Sequence, residues 1–280
     1  MIGSACFQET KNNQPEFKTK IMCRLAAYLG QNISLDRFLQ KPVHSLIKQS
    51  WAPEEMAEAR LNADGFGLCW YLPESGPVTY LNTAPIWSDT NLSGLCVSLH
   101  SPVWLGYVRS ATEGQITSLA NTQPLTSGNL AYVHNGFIRS FIPEVKSRFH
   151  EFLDPAIQAG IHGDTDSEYL FAVIRQILQD ETNVDLSSVL HKFTEILTSI
   201  VGDHTALVNL ILANGSDLYA LRHAINGACP TLYYSETNPL FDQGMIIASE
   251  KLTRDNSWSA VPEHSLVKKI PNHKVTIMPL

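Results

Sequence analysis

The chain has 280 residues, 44% of them hydrophobic and 17% charged, with 16 Gly and 15 Pro. That is the composition of an ordinary globular protein long enough for a sizeable core. A formal net charge of −7, with basic residues scattered rather than clustered, excludes a nucleic-acid surface. No run of about 18 apolar residues exists, so no transmembrane helix is expected.

Residues 1–22 are polar, lack the apolar segment of a secretory signal, and are expected to be a disordered arm, a propeptide or a mis-assigned start. The five cysteines, Cys6, Cys23, Cys69, Cys96 and Cys229, are odd in number and form no CxxC pair. A disulfide framework is not expected, and a reducing cytoplasm is. Cys69 and Cys96 sit in apolar runs. Neither Cys6 nor Cys229 shows metal-ligand spacing, and no HExxH, P-loop or GxGxxG motif is present, so neither a metal nor a cofactor is expected.

In chain order, Arg24–Leu29 is a short apolar strand. Residues 34–60 look helical but are broken at Pro42 and Pro53. Asn62-Ala63-Asp64-Gly65 is a turn before a strand at Phe66–Tyr71, which could pair with Val78–Thr83 across Pro73–Pro77. Leu92–Leu99 reads as a helix, and Val103–Arg109 and Leu130–Val133 as buried strands. After Gly163, Thr165 and Glu168 have capping-box spacing. Leu170, Val173, Ile174, Ile177 and Leu178 then fall on one helical stripe. A second stripe runs from Leu186 to Ile200. Strands return at Leu207–Leu212, Leu218–Arg222, Leu232–Tyr234, Met245–Ala248 and Val275–Met278, with Asn214-Gly215-Ser216 as a hairpin turn. Strands, two helices, then strands argue for an α+β layered domain spanning residues 23–280.

Four local signals carry chemistry. In Met22-Cys23-Arg24, a start at Met22 followed by removal of that residue makes Cys23 terminal. Such a residue joins a thiol to an α-amine whose pKa is about 7.7–8.0, close enough to neutrality to act as base. Alternatively, Cys23 is a small residue in a buried strand. Arg109, at a strand end in Gly106-Tyr107-Val108-Arg109-Ser110-Ala111-Thr112, could clamp a carboxylate through its planar fork, or pack on the surface. Val133-His134-Asn135-Gly136 is either a plain turn or an oxyanion site made of an Asn amide and a Gly N–H. The acids of Asp164-Thr165-Asp166-Ser167-Glu168 either offset a helix dipole or place Asp166 against a substrate ammonium.

Taken together these strings resemble the class II glutamine amidotransferases, whose motifs run N-terminal Cys, Arg-x-Ala-Thr, His-Asn-Gly and Asp-Ser/Thr-Glu. Here they stand as Cys23, Arg109-Ser110-Ala111-Thr112, His134-Asn135-Gly136 and Asp166-Ser167-Glu168. Asn62–Gly67, Asn121-Thr122-Gln123-Pro124-Leu125 and Ile247-Ala248-Ser249-Glu250 are similar to the stand-alone branch, which includes the γ-glutamyl hydrolase of ergothioneine biosynthesis. The resemblance implies a four-layer αββα sandwich of the N-terminal-nucleophile hydrolase type, with Cys23 at the edge of a central sheet. It makes Cys23 the nucleophile, and Asn135 and the Gly136 N–H the oxyanion donors. It gives Arg109 the glutamyl α-carboxylate and Asp166 the α-ammonium, with Thr112 and His134 also at the substrate.

Three departures stand out: 22 residues precede Cys23, Gln123 replaces the His of larger relatives, and Ser110 replaces an aromatic residue. The last two count against plain glutamine as substrate. With no synthase domain after Leu280, the expectation is a hydrolase of γ-glutamyl-hercynylcysteine S-oxide. The alternatives are a glutaminase subunit serving a separate synthase partner, a non-catalytic γ-glutamyl-binding protein, or a cysteine hydrolase with His134 as base.

Overall fold

The computed structural model describes residues 23–55, 61–72, 74–111, 115–181 and 184–280. The expectations on residues 1–22, Pro73 and Thr112 lie outside the described residues. Strand β1 (Arg24–Ser34) is followed by two short helices, α1 (Leu35–Leu39) and α2 (Leu46–Gln49). Then come β2 (Phe66–Leu72), β3 (Gly76–Asn82), α3 (Leu92–Ser98), β4 (His100–Val108), β5 (Leu125–Ser127) and β6 (Leu130–Ile138). A helical stretch follows: α4 (Lys146–Phe152), α5 (Pro155–Gln158), α6 (Asp166–Asp180) and α7 (Leu186–Val201). The chain closes with β7 (Ala206–Ala213), β8 (Leu218–Ile225), β9 (Tyr233–Asn238), β10 (Gly244–Ala248), β11 (Ser259–Ala260), β12 (Ser265–Lys269) and β13 (Thr276–Pro279). No helix among the described residues is long and apolar enough to cross a membrane.

The strands form two antiparallel sheets, one ordered β11-β9-β10-β1-β4-β2-β3 and the other β13-β12-β8-β7-β6-β5. The result is an α+β sandwich. The first six residues of β1, Arg24–Leu29, and all of β7 are buried on both faces, and both stretches are accordingly largely apolar. On β1, alternation sends Leu25, Ala27 and Leu29 into a core shared with Val133, Ile211 and Ala220 of the second sheet. Ala26 and Tyr28 face the other way, into a core with Phe38, Leu39, Leu46 and Leu92 of the first helices. The far side of the second sheet, including Tyr132, Leu210 and Leu212, packs against Phe149, Leu170, Ile174, Phe193 and Leu197. Cys23, Cys69, Cys96 and Cys229 are all free thiols.

Most expected elements appear, with two differences at the candidate site. The strand expected at Leu130–Val133 runs on to Ile138, so Asn135-Gly136 is mid-strand and not a turn. Its ladder with β7 continues through Asn135↔Asn209 and Gly136↔Val208, and pairing outweighs the turn preference of Asn-Gly. At α6, Thr165 caps by accepting from the Glu168 N–H at 3.4 Å, but Glu168 reaches past the cap to accept from the His162 and Gly163 N–H groups, each at 2.7 Å. The hairpin turn at Asn214 is present, with its side chain accepting from the Asp217 N–H at 2.7 Å.

Candidate active site

Cys23 stands just before β1, beside the end of β4, where Leu25 pairs with Tyr107 and Arg24 with Val108. Its half-buried sulfur receives the Tyr107 hydroxyl at 2.8 Å and the Ser110 N–H at 3.4 Å. The thiol proton faces the Ser110 carbonyl at 3.6 Å. Burial raises the thiol pKa; the two hydrogen bonds and the nearby Arg109 and Arg24 charges oppose that shift without reversing it. The resting sulfur is therefore a thiol, and a reaction through it needs a base.

The next residue anchors a buried ionic group. Arg24 Nε lies 2.6 Å from Glu250 Oε1, and its Nη1 donates to the Cys23 carbonyl at 2.9 Å. The other Glu250 oxygen meets His44 Nε2 at 2.8 Å and accepts from the Glu54 N–H at 2.9 Å. Burial alone would push Glu250 up. His44, Arg24 and the Glu54 and Glu55 N–H groups outweigh it and hold the carboxyl down at about 2.

Arg109 directly follows β4 and is 2% exposed. Its main chain is pinned by Asp64 and Gly65, through Asp64 N–H to the Arg109 carbonyl at 3.1 Å and Arg109 N–H to the Gly65 carbonyl at 2.8 Å. Gly65 has a φ of 115°, which explains the glycine in that turn. The guanidinium has only long contacts, 3.4–3.5 Å, to the Asp64 and Ile116 carbonyls and the Gln115 amide oxygen. Among the described residues it has no carboxylate partner, so this buried cation retains donors for an anion.

On β6, alternation puts the Asn135 side chain on the same face as Ala131 and Val133, toward the core against which Cys23 packs. Asn135 is fully buried, and neither end of its amide has a hydrogen-bond partner among the described residues. An unsatisfied buried amide costs on the order of 1–3 kcal/mol, which a ligand oxygen at the amide nitrogen would offset. Gly136 is demanded by close approach: a Cβ there would lie 1.8 Å from the Leu207 carbonyl. The His134 ring points to the opposite face. It meets Ser167 Oγ at 2.9 Å and the Leu207 carbonyl at 3.2 Å, and burial lowers its pKa. It thus supports the start of α6 and does not line the Cys23 side of the sheet.

Asp166 opens α6, buried, with its oxygens accepting from the Ile138 and Ser167 N–H groups, each at 2.7 Å. Burial raises its pKa against the pull of His134 and those N–H groups. A cation placed beside it would reverse that. Burial, with the Cys23 sulfur beside it, raises the Tyr107 pKa well above the ordinary value, so its hydroxyl keeps its proton and donates to that sulfur.

Sequence reasoning gave no role to Tyr107, although it lies in the same string as Arg109, two residues before it. It also missed the roles of Gln123 and Asn121. Gln123 accepts from the His134 N–H at 2.5 Å and donates to its carbonyl at 3.2 Å. Asn121 donates to Asp164 at 2.7 Å. Both fasten the segment after Arg109 to β6 and α6.

Residues 43–235 match the family described as glutamine amidotransferases class-II. The chain belongs to that family and is a hydrolase-type enzyme. It is 28% identical over 88% of its length to a Saccharomyces cerevisiae protein described as a "Probable glutamine amidotransferase", covering 81% of that protein. It is 27% identical, again over 88%, to a Mycobacterium tuberculosis protein named gamma-glutamyl-hercynylcysteine sulfoxide hydrolase, covering 92% of it. A class-II glutamine aminotransferase domain protein from Silicibacter pomeroyi shares the fold, with a TM-score of 0.67, 20% identity and coverage of 92% of this chain and 99% of that one.

Proposed function

We propose that the chain hydrolyses a γ-glutamyl amide through Cys23, releasing glutamate. The observation that carries this reading is the fully buried Asn135 amide, without a partner among the described residues, on the face of β6 turned toward the core where Cys23 packs. Residues 23–280 act as one unit, and the packing on both faces of both sheets supports a four-layer αββα arrangement.

In the proposed mechanism Cys23 is N-terminal, and its α-amine takes the thiol proton. The thiolate attacks the γ-carbonyl, and the oxyanion is received by the Asn135 amide and the Gly136 N–H. Tyr107 and the Ser110 N–H hold the sulfur. The ammonium formed on Cys23 then protonates the leaving nitrogen, and water hydrolyses the γ-glutamyl thioester. Arg109 binds the glutamyl α-carboxylate and Asp166 its α-ammonium, while His134 braces α6.

The substrate we favour is γ-glutamyl-hercynylcysteine sulfoxide, the compound in the name of the mycobacterial relative. The yeast relative, equally similar, supports a second reading, in which glutamine is cut and ammonia passes to a partner synthase. Protein beginning at Cys23 is to be assayed with both compounds. Preferential release of glutamate from the sulfoxide supports the first reading. An intact sulfoxide with rapid glutamine turnover eliminates it.

A further inference from the structure

Far along the chain from the residues just described, three metal-ligating types converge. Cys229 lies between β8 and β9, and Glu263 and His264 lie in the turn before β12. One ligand atom from each falls within 4.8 Å of the others, and Cys229 Sγ is 3.8 Å from His264 Nε2. A tetrahedral zinc ion, with Zn–N about 2.0–2.1 Å and Zn–S about 2.3 Å, sets sulfur and nitrogen ligands roughly 3.5 Å apart. The Cys229–His264 pair is thus within a few tenths of an ångström of a coordination edge, and the Glu263 oxygen lies within 4.8 Å of both.

Two further contacts fix them. Ser265 pairs with Arg222, which brings His264 beside His223, and the two Nδ1 atoms are 3.0 Å apart. His264 can carry its proton on Nδ1 and donate it to His223, which leaves Nε2 unprotonated as a ligand atom; the sulfur lies nearly level with both ring nitrogens, 3.8 Å from Nε2 and 4.0 Å from Nδ1. Orientation of a ligand imidazole through its second nitrogen is the usual companion of metal binding. Arg222 donates to the Pro230 carbonyl at 2.7 Å and the Val261 carbonyl at 2.6 Å, so both ligand-bearing segments are tied before any ion arrives. Its contact with one Glu263 oxygen is long, 3.4 Å, and leaves the other oxygen for a ligand role.

We propose that Cys229, Glu263 and His264, oriented by His223, bind a zinc-class divalent cation that clamps the Cys229 loop to the turn before β12. Binding converts the Cys229 thiol to a metal-bound thiolate and releases its proton to solvent. Thiolate and carboxylate together balance the charge of the cation, and the fourth position is open to water. The clamp borders the candidate active site. Cys229 packs with Leu207, whose carbonyl meets His134, and Asn209, opposite Asn135, donates to the Thr231 carbonyl of the same loop at 2.7 Å.

The test is zinc titration of the purified protein against a chromophoric chelator, with Co²⁺ as spectroscopic substitute. One equivalent of Zn²⁺ should bind, and Co²⁺ should give a thiolate charge-transfer band in the near ultraviolet. Both should be lost in Cys229→Ser and kept in Cys23→Ser. His223→Ala, which touches no metal, should weaken affinity about 10–100-fold while the fold is retained. The proposal is overturned if the wild-type protein takes up no stoichiometric zinc. It is equally overturned if Cys229→Ser binds as tightly as wild type, or if the band follows Cys23.

Discussion

Tyr107 shows how much one hydroxyl decides at this site. It is the closest donor to the Cys23 sulfur, at 2.8 Å, and it opposes the rise in thiol pKa that burial causes. Tyr107→Phe leaves the ring in the core and removes only that donor. A hydrogen bond to a charged group contributes about 1.5–3 kcal/mol. The variant should therefore lose about tenfold to a hundredfold in kcat/KM, and its thiol should titrate at higher pH in an alkylation-rate profile. Unchanged alkylation kinetics would remove Tyr107 from the nucleophile's environment. Asn135 allows a sharper separation. A purely structural Asn would lose stability on truncation, but both ends of this amide are unpartnered among the described residues. Asn135→Ala should cost about 100–1000-fold in kcat with the denaturation midpoint unchanged or higher. A large fall in the midpoint would show that the amide serves the fold. At this scale Cys23, Arg109, Asn135 and Asp166 could be proposed from the sequence because each sits in a short string that resembles a family motif. Tyr107, Gln123 and Asn121 were not, because their partners come from other elements.

Among the elements, β6 does the most to position the site. A strand continuing through His134-Asn135-Gly136 sends His134 to the α6 side and Asn135 to the inter-sheet side, with Gly136 admitting the β7 backbone. Gly136→Ala places a methyl group 1.8 Å from the Leu207 carbonyl, where the obstacle is main chain. Overpacking of this kind typically costs about 1–3 kcal/mol, so urea denaturation should show a lowered midpoint, with activity lost from even the folded fraction. A stable, active variant would mean that β6 and β7 can separate there without consequence. Long apolar or periodic elements such as β1, β7, α6 and α7 could be read directly from the sequence. The end of β6 could not, since ladder pairing with β7 overrides an Asn-Gly preference. The short pieces β5, β11, β12, α4 and α5 also escaped notice, because two to seven residues carry too little periodicity.

For the whole molecule, the buried Arg24–Glu250–His44 group joins the start of β1, the segment before α2 and the end of β10. Glu250 is held at about 2 against an ordinary 4.5. A depressed carboxyl pKa contributes stability that is fully present above about pH 4.5 and lost as pH falls toward 2. The shift corresponds to at most about 3 kcal/mol. Thermal denaturation should therefore show a steep fall in Tm across that window, and Glu250→Gln should flatten it. A parallel decline in both proteins would place the acid sensitivity elsewhere. The alternation of strand and helix segments foretold an α+β domain. It could not foretell that residues 24, 44 and 250 would share one ion group, because such contacts exist only once both ends of the chain meet in one sheet.

The most direct test is mass spectrometry of protein beginning at Cys23, quenched during reaction with a γ-glutamyl amide, alongside a glutamate-release assay. The account predicts one γ-glutamyl group on Cys23, steady glutamate release, and loss of both in Cys23→Ala. Glutamate release that survives Cys23→Ala, or no reaction with any γ-glutamyl amide, would contradict it.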